Sequence, residues 1–350
     1  MMNLFQSALA GRNSGPRPPI WFMRQAGRYH NHYQKLKQTH SFIDLCKIPS
    51  ISCEAALGPV SDFGFDAAIL FSDLLFPLEI LGQGLTYDEG PTLAWHISHV
   101  SDLSRLRHSA DPTTEMGYQA HALRLLKSQL PPETGLLGFV GGPLTLYFYA
   151  VAGSHQKKDE RWALAQAGIR NGLFQAFCEI LNPLLARNMT DQAAAGADTI
   201  AVLDTCAGEV PLAVYEEIVI PVIKDLLSRS PHPYPVTYYS KGTDPSHWEL
   251  LRPLAAISAI GVDWRSPLAP VLDRFSDRFA IQGNFDPEKL RSHDLPSLDR
   301  ELRAYFQPIR ALPASKRRGW ISGLGHGVLP KTPEENIRHF IKCSREIFDQ

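Results

Sequence analysis

Residues 134–154, TGLLGFVGGPLTLYFYAVAGS, contain no charged side chain and are long enough to cross a membrane as one helix. They are also interrupted by Gly138, Gly141, Gly142 and Pro143, which weaken or break a helix. We therefore interpret the stretch as a buried strand, a Gly-Pro loop and the start of a new helix, not as a membrane span.

The same unit, a short apolar run followed by a loop and an amphipathic stretch, recurs along the 350 residues. Runs that are apolar at consecutive positions are typical of strands covered on both faces, as in a parallel sheet. The sequence predicts eight such strands, at Pro19–Met23, Ala67–Phe71, Leu136–Val140, Thr199–Leu203, Pro235–Tyr239, Ile257–Val262, Phe279–Gln282 and Gly319–Leu324.

Helical patterns fill the gaps between these strands. Residues 333–349 place apolar side chains on one side, and Pro333 and Glu334 mark the start of the helix. Residues 163–195 also have a helical pattern, in which we expect a kink or break at Pro183.

Eight strands that alternate with helices belong to the α/β class and form either a closed barrel or a doubly wound open sheet. The count of eight favours a single (β/α)8 TIM barrel, and no GxGxxG segment opens a helix after a strand. We expect one domain over residues 1–350, with residues 1–18 as an N-terminal extension that can be flexible.

The composition narrows the class of function. A formal net charge of -1 gives no indication of binding to nucleic acid or to a membrane surface. The five cysteines are odd in number and none forms CxxC, so a disulfide framework or a zinc knuckle is not expected. The first residues do not resemble a signal peptide, and we expect a cytoplasmic protein.

In a parallel barrel the active-site residues lie at the carboxyl ends of the strands. Polar side chains follow all eight predicted strands, and in chain order they are Arg24 and Arg28, Asp73, Thr145 and Tyr149, Asp204–Thr205, Tyr239–Lys241, Asp263–Trp264, Gly283–Asn284, and Gly325–Gly327.

Several of these residues also have a structural interpretation. Asp73 and Asp204–Thr205 can cap the helices that follow them, although apolar residues flank Asp73 and would shift its pKa or favour a nearby cation. Tyr149 can be a core aromatic residue, and His326 can serve a tight turn between its two glycines.

Arg24 and Arg28 end the apolar run of the first strand abruptly. They can be ordinary salt-bridge partners. Two guanidinium groups at a barrel mouth fit the binding of carboxylate or phosphate groups better, because the planar group binds oxyanions with two hydrogen bonds.

Seven segments together resemble the uroporphyrinogen decarboxylase family over most of the chain, from about Pro19 to the C-terminus. In order they are PIWFMRQAGRYHNHY (19–33), FGFDAAILFSDLL (63–75), GFVGGPLTL followed by Tyr149, DTCAG (204–208), GVDW (261–264), IQGNFDP (281–287) and GLGHGVLPKTP (323–333). The first segment is long and highly specific.

The resemblance implies a single-domain (β/α)8 barrel that forms a homodimer with facing clefts. It implies removal of the four acetate carboxyl groups of uroporphyrinogen III, giving coproporphyrinogen III for haem and chlorophyll biosynthesis. It also implies a small-molecule substrate, no metal and no organic cofactor.

By the same resemblance, Asp73 and Arg24 are the catalytic residues, and Asp73 reaches the pyrrole N–H groups. The residues implied in substrate binding are Arg24, Arg28, Asp73, Tyr149, Thr205 and His326. The chain departs from the family pattern in three places. Thr205 stands where the family usually has a serine, and Lys37 stands where relatives often have an arginine. The segment HNHYQ (30–34) replaces a stretch that is usually like LPEYR.

The implied chemistry agrees with the groups present. Protonation of a pyrrole carbon makes the substrate its own electron sink, so the protein must stabilise a cation, supply a proton and orient an acetate. Asp73 suits the first task, while Arg24, a protonated Asp73 and a bound water are candidates for the proton donor.

Two other functions stay open from the sequence. One is a zinc-dependent corrinoid or thiol methyltransferase on the same barrel, although no H-x-C motif occurs after His326. The other is a porphyrinogen-binding protein without catalysis, for which a carboxylate in the cleft would be of no use.

Overall fold

A computed structural model of the chain describes residues 2–88, 90–153, 160–230 and 234–349. Within these ranges there are nine strands, β1 (Ala67–Ile69), β2 (Leu85–Tyr87), β3 (Pro91–Leu93), β4 (Gly135–Gly141), β5 (Thr199–Asp204), β6 (Val236–Ser240), β7 (Ile257–Gly261), β8 (Ala280–Phe285) and β9 (Trp320–Leu324).

The α-helices of the same ranges are α1 (Leu4–Leu9), α2 (Asn31–Thr39), α3 (Phe42–Lys47), α4 (Pro49–Phe63), α5 (Phe76–Ile80), α6 (Pro112–Glu115), α7 (Gly117–Gln129), α8 (Pro143–Ala152), α9 (Glu160–Arg170), α10 (Leu173–Ala194), α11 (Leu212–Val214), α12 (Ile220–Ser228), α13 (Pro245–Glu249), α14 (Leu268–Phe275), α15 (Pro287–Ser292), α16 (Leu295–Arg310), α17 (Ala314–Arg317) and α18 (Glu334–Phe348).

Seven strands form one parallel sheet in the order β1, β4, β5, β6, β7, β8, β9, and helices lie between successive strands. Every residue of β4, β5, β6, β8 and β9 is buried. Burial on both faces explains the consecutive apolar residues, and the α/β parallel sheet predicted from them is confirmed.

The first of the eight predicted strands, Pro19–Met23, is not a regular strand. It makes an isolated parallel bridge between Ile20 and Ser322 of β9, while the Ile20 carbonyl accepts a hydrogen bond from Asp66 N, just before β1, at 3.0 Å. Pro18 and Pro19 have no N–H group to donate, which limits the ladder at this position.

Residues 134–154 fold as the sequence predicts, with β4 followed by α8, whose first residue is Pro143; Ser154 lies outside the described residues. None of the helices in the described ranges has the length and apolar character required to cross a membrane.

Residues 163–195 differ from the prediction in where the helix is interrupted. The interruption lies between α9 and α10, where Gly172 has φ 91°, and α10 continues through Pro183. The apolar neighbours of Pro183 are packed in the core, so tertiary packing compensates for the missing backbone hydrogen bond. The predicted C-terminal helix is confirmed as α18.

Part of the predicted N-terminal extension is helical and anchored. Asn3 caps α1, and Phe5 is fully buried against β4. A Cβ atom at Gly135 of β4 would lie 2.4 Å from the Phe5 ring, so the two residues are in close contact. Gln6 Nε2 also donates to Asp198 Oδ1 at 2.8 Å. The single-domain organisation stays a prediction.

Phe5→Ala should lower the free energy of unfolding by about 3–5 kcal/mol, since it leaves a cavity at a closely packed position. Urea unfolding measures the change. Met2→Ala is the control, because Met2 is 51% exposed and should change the stability little. An equally small change for Phe5→Ala would mean that the extension contributes no packing energy.

Candidate active site

Arg24 and Arg28 lie in the loop that follows the bridge segment, at the end of the sheet where the parallel strands terminate. Both are exposed, and neither guanidinium group forms an ion pair within the described part of the chain. The salt-bridge alternative is therefore not observed. Arg24 also has φ 57°, a left-handed conformation that costs a non-glycine residue about 1–2 kcal/mol.

Asp73 lies in the loop after β1 and is half-buried. Burial raises the pKa of Asp73, while a hydrogen bond from Leu75 N (2.8 Å), the Tyr87 hydroxyl and Arg24 lower it. The Tyr87 oxygen faces the carboxylate but lies outside hydrogen-bonding geometry. Helix α5 begins after Leu75 without a side-chain cap, so Asp73 is not its N-cap.

Three tyrosines lie within electrostatic range of Asp73. Burial, followed by the smaller effects of Cys206 and Asp73, raises the pKa of Tyr149 to about 12, and Arg24 opposes the shift. The charge of Asp73 also raises the pKa values of Tyr87 and Tyr118, after the larger effect of burial. Asp73, Arg24 and Tyr149 are thus within electrostatic range of one another, as the strand-end pattern predicts.

Asp204 is the last residue of β5, but it does not belong to the group formed by Asp73, Arg24 and Tyr149. It is fully buried, and its Oδ1 atom accepts hydrogen bonds from the backbone N (2.9 Å) and Oγ1 (2.7 Å) of Thr145, while Oδ2 accepts from Tyr238 (3.1 Å). It therefore caps α8. The alternative that Asp204–Thr205 caps the helix that follows is not observed, because the next two helical segments, 207–209 and α11, have no side-chain cap.

Thr205 follows Asp204 and lies beside Cys206, a buried thiol that its hydroxyl contacts. Cys206 in turn lies within electrostatic range of Tyr149. The other predicted polar residue here, Thr145, is buried under Asp204 and holds the loop through Cys206 N at 3.0 Å.

His326 lies between two glycines that are required by close contacts. A Cβ atom at Gly325 would lie 2.3 Å from the Trp264 backbone nitrogen, and one at Gly327 would lie 2.4 Å from Arg24 Cδ. Both the tight-turn interpretation and the site interpretation are therefore consistent with the structure. His326 Nδ1 is 2.9 Å from the hydroxyl oxygen of Tyr239 on β6.

Two other strand ends stabilise loops. Asp263 accepts hydrogen bonds from Gly242 N (2.6 Å) and Arg265 N (3.0 Å) and pairs with the Arg265 guanidinium group. The Asn284 amide donates to Asp263 O and to another loop carbonyl at 2.7 Å. Their polar groups are used within the protein.

Two of the three departures from the family pattern, residues 30–34 and Lys37, directly follow the loop that carries Arg24 and Arg28. His30 is buried, and its Nε2 atom is 2.7 Å from Asp62 Oδ2. His32 packs over Gly58, where a Cβ atom would lie 2.4 Å from the His32 ring. Lys37, in the last turn of α2, is exposed. The two histidines thus have packing roles.

Sequence reasoning missed Tyr87 and Tyr239 as site residues. Tyr87 lies on β2, which pairs with β3 in a short antiparallel hairpin that was not predicted. Tyr239 is at a predicted strand end, yet its contact with His326 joins residues 87 positions apart. In the described ranges, no three His, Cys, Asp or Glu side chains cluster so that they could hold a metal ion.

The chain matches the family described as uroporphyrinogen decarboxylase (URO-D) over residues 2–347. This chain belongs to the uroporphyrinogen decarboxylase family. It is 33% identical to the uroporphyrinogen decarboxylase of Syntrophotalea carbinolica, with 93% of each chain covered. It is 35% identical to that of Chloroflexus aggregans, with 93% of this chain and 90% of that one covered.

Solved structures share the fold at lower identity. A methyltransferase from Methanosarcina mazei superimposes with a TM-score of 0.74 at 16% identity, over 99% of this chain and 100% of that one. A B12-independent methionine synthase from Shewanella sp. W3-18-1 gives 0.51 at 12% identity, over 95% and 96% of the two chains. At such identities the likeness concerns the fold alone.

Asp73→Asn should raise the free energy of unfolding at neutral pH, because asparagine has no charge to desolvate. Burial raises the folded-state pKa of Asp73 above the unfolded value of about 3.9, so the folded protein binds the proton more tightly. The wild type therefore gains stability as the pH falls through the folded pKa, and the two proteins should converge below about pH 4.

Urea unfolding at both pH values measures the difference. Asp44→Asn is the control of opposite sign, because hydrogen bonds from Ser41 lower the pKa of the exposed Asp44. That variant should lose stability at neutral pH. An Asp73→Asn protein less stable than the wild type at neutral pH would contradict the desolvation cost.

Proposed function

We propose that this chain removes the four acetate carboxyl groups of uroporphyrinogen III and so produces coproporphyrinogen III. One observation carries the proposal. A half-buried carboxylate, Asp73, lies within electrostatic range of Arg24 at the carboxyl ends of the parallel strands, in a chain that matches the decarboxylase family along nearly its whole length.

Decarboxylation leaves an electron pair on carbon, and the substrate can accept it. Addition of a proton to a pyrrole carbon makes the ring cationic, and departure of CO2 from the attached acetate returns the electron pair to the ring. Each complete step converts –CH2COO⁻ and one proton into –CH3 and CO2. The protein has to stabilise the cationic ring and hold the departing carboxylate in position.

Asp73 is suited to stabilising that cation. Its charged form is disfavoured by desolvation, which raises its pKa. Pyrrole N–H donors restore hydrogen bonds to the carboxylate, and the interaction strengthens as the ring gains positive charge. A preorganised group of this kind typically contributes about 10²–10³ in rate.

Arg24 and Arg28 are suited to binding the eight carboxylates of the substrate. Both side chains are exposed, and neither forms an ion pair at contact distance among the residues described. Charge-assisted hydrogen bonds from arginine to carboxylate are stronger than neutral ones and fix orientation as well. We assign Tyr149, Thr205 and His326 to orienting the acetate and propionate groups around the ring.

Three finer features belong to the same proposal. The segment Pro19–Met23 would close the sheet as the eighth strand of a TIM barrel, supported by its hydrogen bonds to β9 on one side and to Asp66 on the other. A homodimer with facing clefts is carried over from the family resemblance, and the cytoplasmic location expected from the sequence is kept with it as part of the proposal.

The alternatives receive less support. The methyltransferase from Methanosarcina mazei shares the fold, but the described ranges contain no three-residue ligand group of the kind a structural or catalytic zinc ion requires. A carrier of a polyanion would gain nothing from a buried carboxylate beside its basic groups.

Anaerobic incubation with reduced uroporphyrinogen, with products resolved by carboxyl number, tests the reaction. The wild type should release coproporphyrinogen, and Asp73→Asn should lose about 10²–10³ in kcat/KM, because the cation loses its counter-charge. Glu133→Gln, which alters an exposed carboxylate, should leave the rate unchanged. A wild type that binds the substrate without releasing CO2 would favour the carrier.

Arg28→Gln should raise KM by about 10–100-fold with a smaller effect on kcat, because one charge-assisted hydrogen bond to a substrate carboxylate is lost. Steady-state kinetics measures both constants. Arg310→Gln is the matched control. Arg310 is an exposed arginine in the last turn of α16. Since α16 precedes β9 in the chain, its last turn lies near the amino ends of the strands, away from the candidate site. Equal KM values for the two variants would remove Arg28 from the binding site.

A further inference from the structure

The hydroxyl group of Tyr239 contacts two different polar atoms at once. Its Oη atom is 2.9 Å from the carbonyl oxygen of Gly325 and 2.9 Å from Nδ1 of His326. The tyrosine is buried, and its ring lies nearly parallel to the His326 ring, with 15° between the planes and 5.8 Å between the centroids. The strand that bears Tyr239 therefore fixes the histidine from one side.

Only one arrangement of protons satisfies both contacts. A carbonyl oxygen can only accept, so the single hydroxyl proton of Tyr239 is donated to Gly325 O. The hydroxyl oxygen then accepts a hydrogen bond from His326, which requires a proton on Nδ1. With the proton on Nε2 instead, one of the two contacts would bring a pair of acceptors to 2.9 Å.

The surroundings keep the tyrosine proton in place. Burial raises the pKa of Tyr239 far above its ordinary value, Asp263 raises it further, and Arg24 and Arg265 oppose the shift. The indole ring of Trp264 lies 6.5 Å from the His326 ring and adds no titratable group. Tyr239 thus stays a hydroxyl, with one proton to donate.

We propose that Tyr239 is a positioning residue that holds a proton on Nδ1 of His326 and so sets the tautomer of the neutral ring. In the neutral ring Nε2 then carries the lone pair, and protonation of the ring adds the proton at Nε2. The Nδ1–H bond to Tyr239 is the same in both states, so the ring need not turn. The kinetic part of this inference rests on the proposed decarboxylase function.

Tyr239→Phe tests the inference because it keeps the ring and removes only the hydroxyl group. Long-range ¹H–¹⁵N NMR of histidine-labelled protein distinguishes the two neutral tautomers, and His326→Asn identifies the His326 signals by their loss. Spectra are recorded without substrate, about two pH units above the ordinary histidine pKa of about 6.5. The wild type should show the Nδ1–H form, and Tyr239→Phe should lose it.

Tyr238→Phe is the matched control. It removes a buried hydroxyl from the neighbouring position of β6, where Tyr238 donates to Asp204 and not to His326. The tautomer of His326 should be unchanged in that variant. A change of equal size there would show that general disturbance of β6, and not the Tyr239 hydrogen bond, sets the tautomer.

Steady-state kinetics adds the functional measurement. Tyr239→Phe should lower kcat by about five-fold, the factor that one ordinary hydrogen bond supplies, with little change in KM. Two NMR results would overturn the proposal, whether or not the enzyme is active. One is a wild-type His326 with its proton on Nε2, and the other is a tautomer that Tyr239→Phe does not change. A confirmed tautomer in an enzyme inactive on uroporphyrinogen would instead overturn the proposed function and leave the positioning role intact.

Discussion

Burial of the parallel sheet on both faces is the constraint from which the candidate site follows. Strands β4, β5, β6, β8 and β9 have no exposed residue, so polar side chains along them must be satisfied internally or lie at the strand ends. Parallel strands end at the same edge, and loops that carry charges therefore meet there. The location of Arg24, Asp73 and His326 is a consequence of this packing.

The fully buried carboxylate of Asp204 and the half-buried one of Asp73 show how different partners give different roles. Asp204 accepts hydrogen bonds from Thr145 and Tyr238 and caps α8, so its oxygens are used within the fold. Asp73 receives one backbone hydrogen bond, from Leu75, and burial raises its pKa. The fold is stabilised around the first carboxylate, whereas the second is left with bonding capacity for a cationic ligand.

The sequence predicts the parallel sheet well because consecutive apolar residues report directly on burial from both sides. Prediction from the sequence fails where contacts between residues distant in the chain determine the secondary structure. Pro183 is itself exposed but stays within α10 because its apolar neighbours pack in the core. Pro19–Met23 is apolar like a strand but lacks backbone donors at its start. The short hairpin that carries Tyr87 has too few residues for a periodic signal.

Prediction of the site is limited for a related reason. A polar residue at a strand end is compatible with ligand binding and with loop support, and the sequence does not distinguish these. Asp263 and Asn284 support loops, while Asp73 keeps bonding capacity. The roles of Tyr87 and Tyr239 depend on contacts across the sheet, which no local pattern encodes.

The close packing of Arg24 against Gly327 explains why a glycine is required at position 327. The backbone of Arg24 is held at φ 57°, and the hydrogen bond from Val328 N to Met23 O at 2.9 Å fastens the preceding residue to the His326 loop. Gly327 leaves space that Arg24 Cδ fills. Within the described part of the chain Arg24 forms no ion pair at contact distance, although Asp73 lies within electrostatic range. The strained conformation is therefore maintained by the loop, and a bound carboxylate would provide the interaction that the protein itself does not supply.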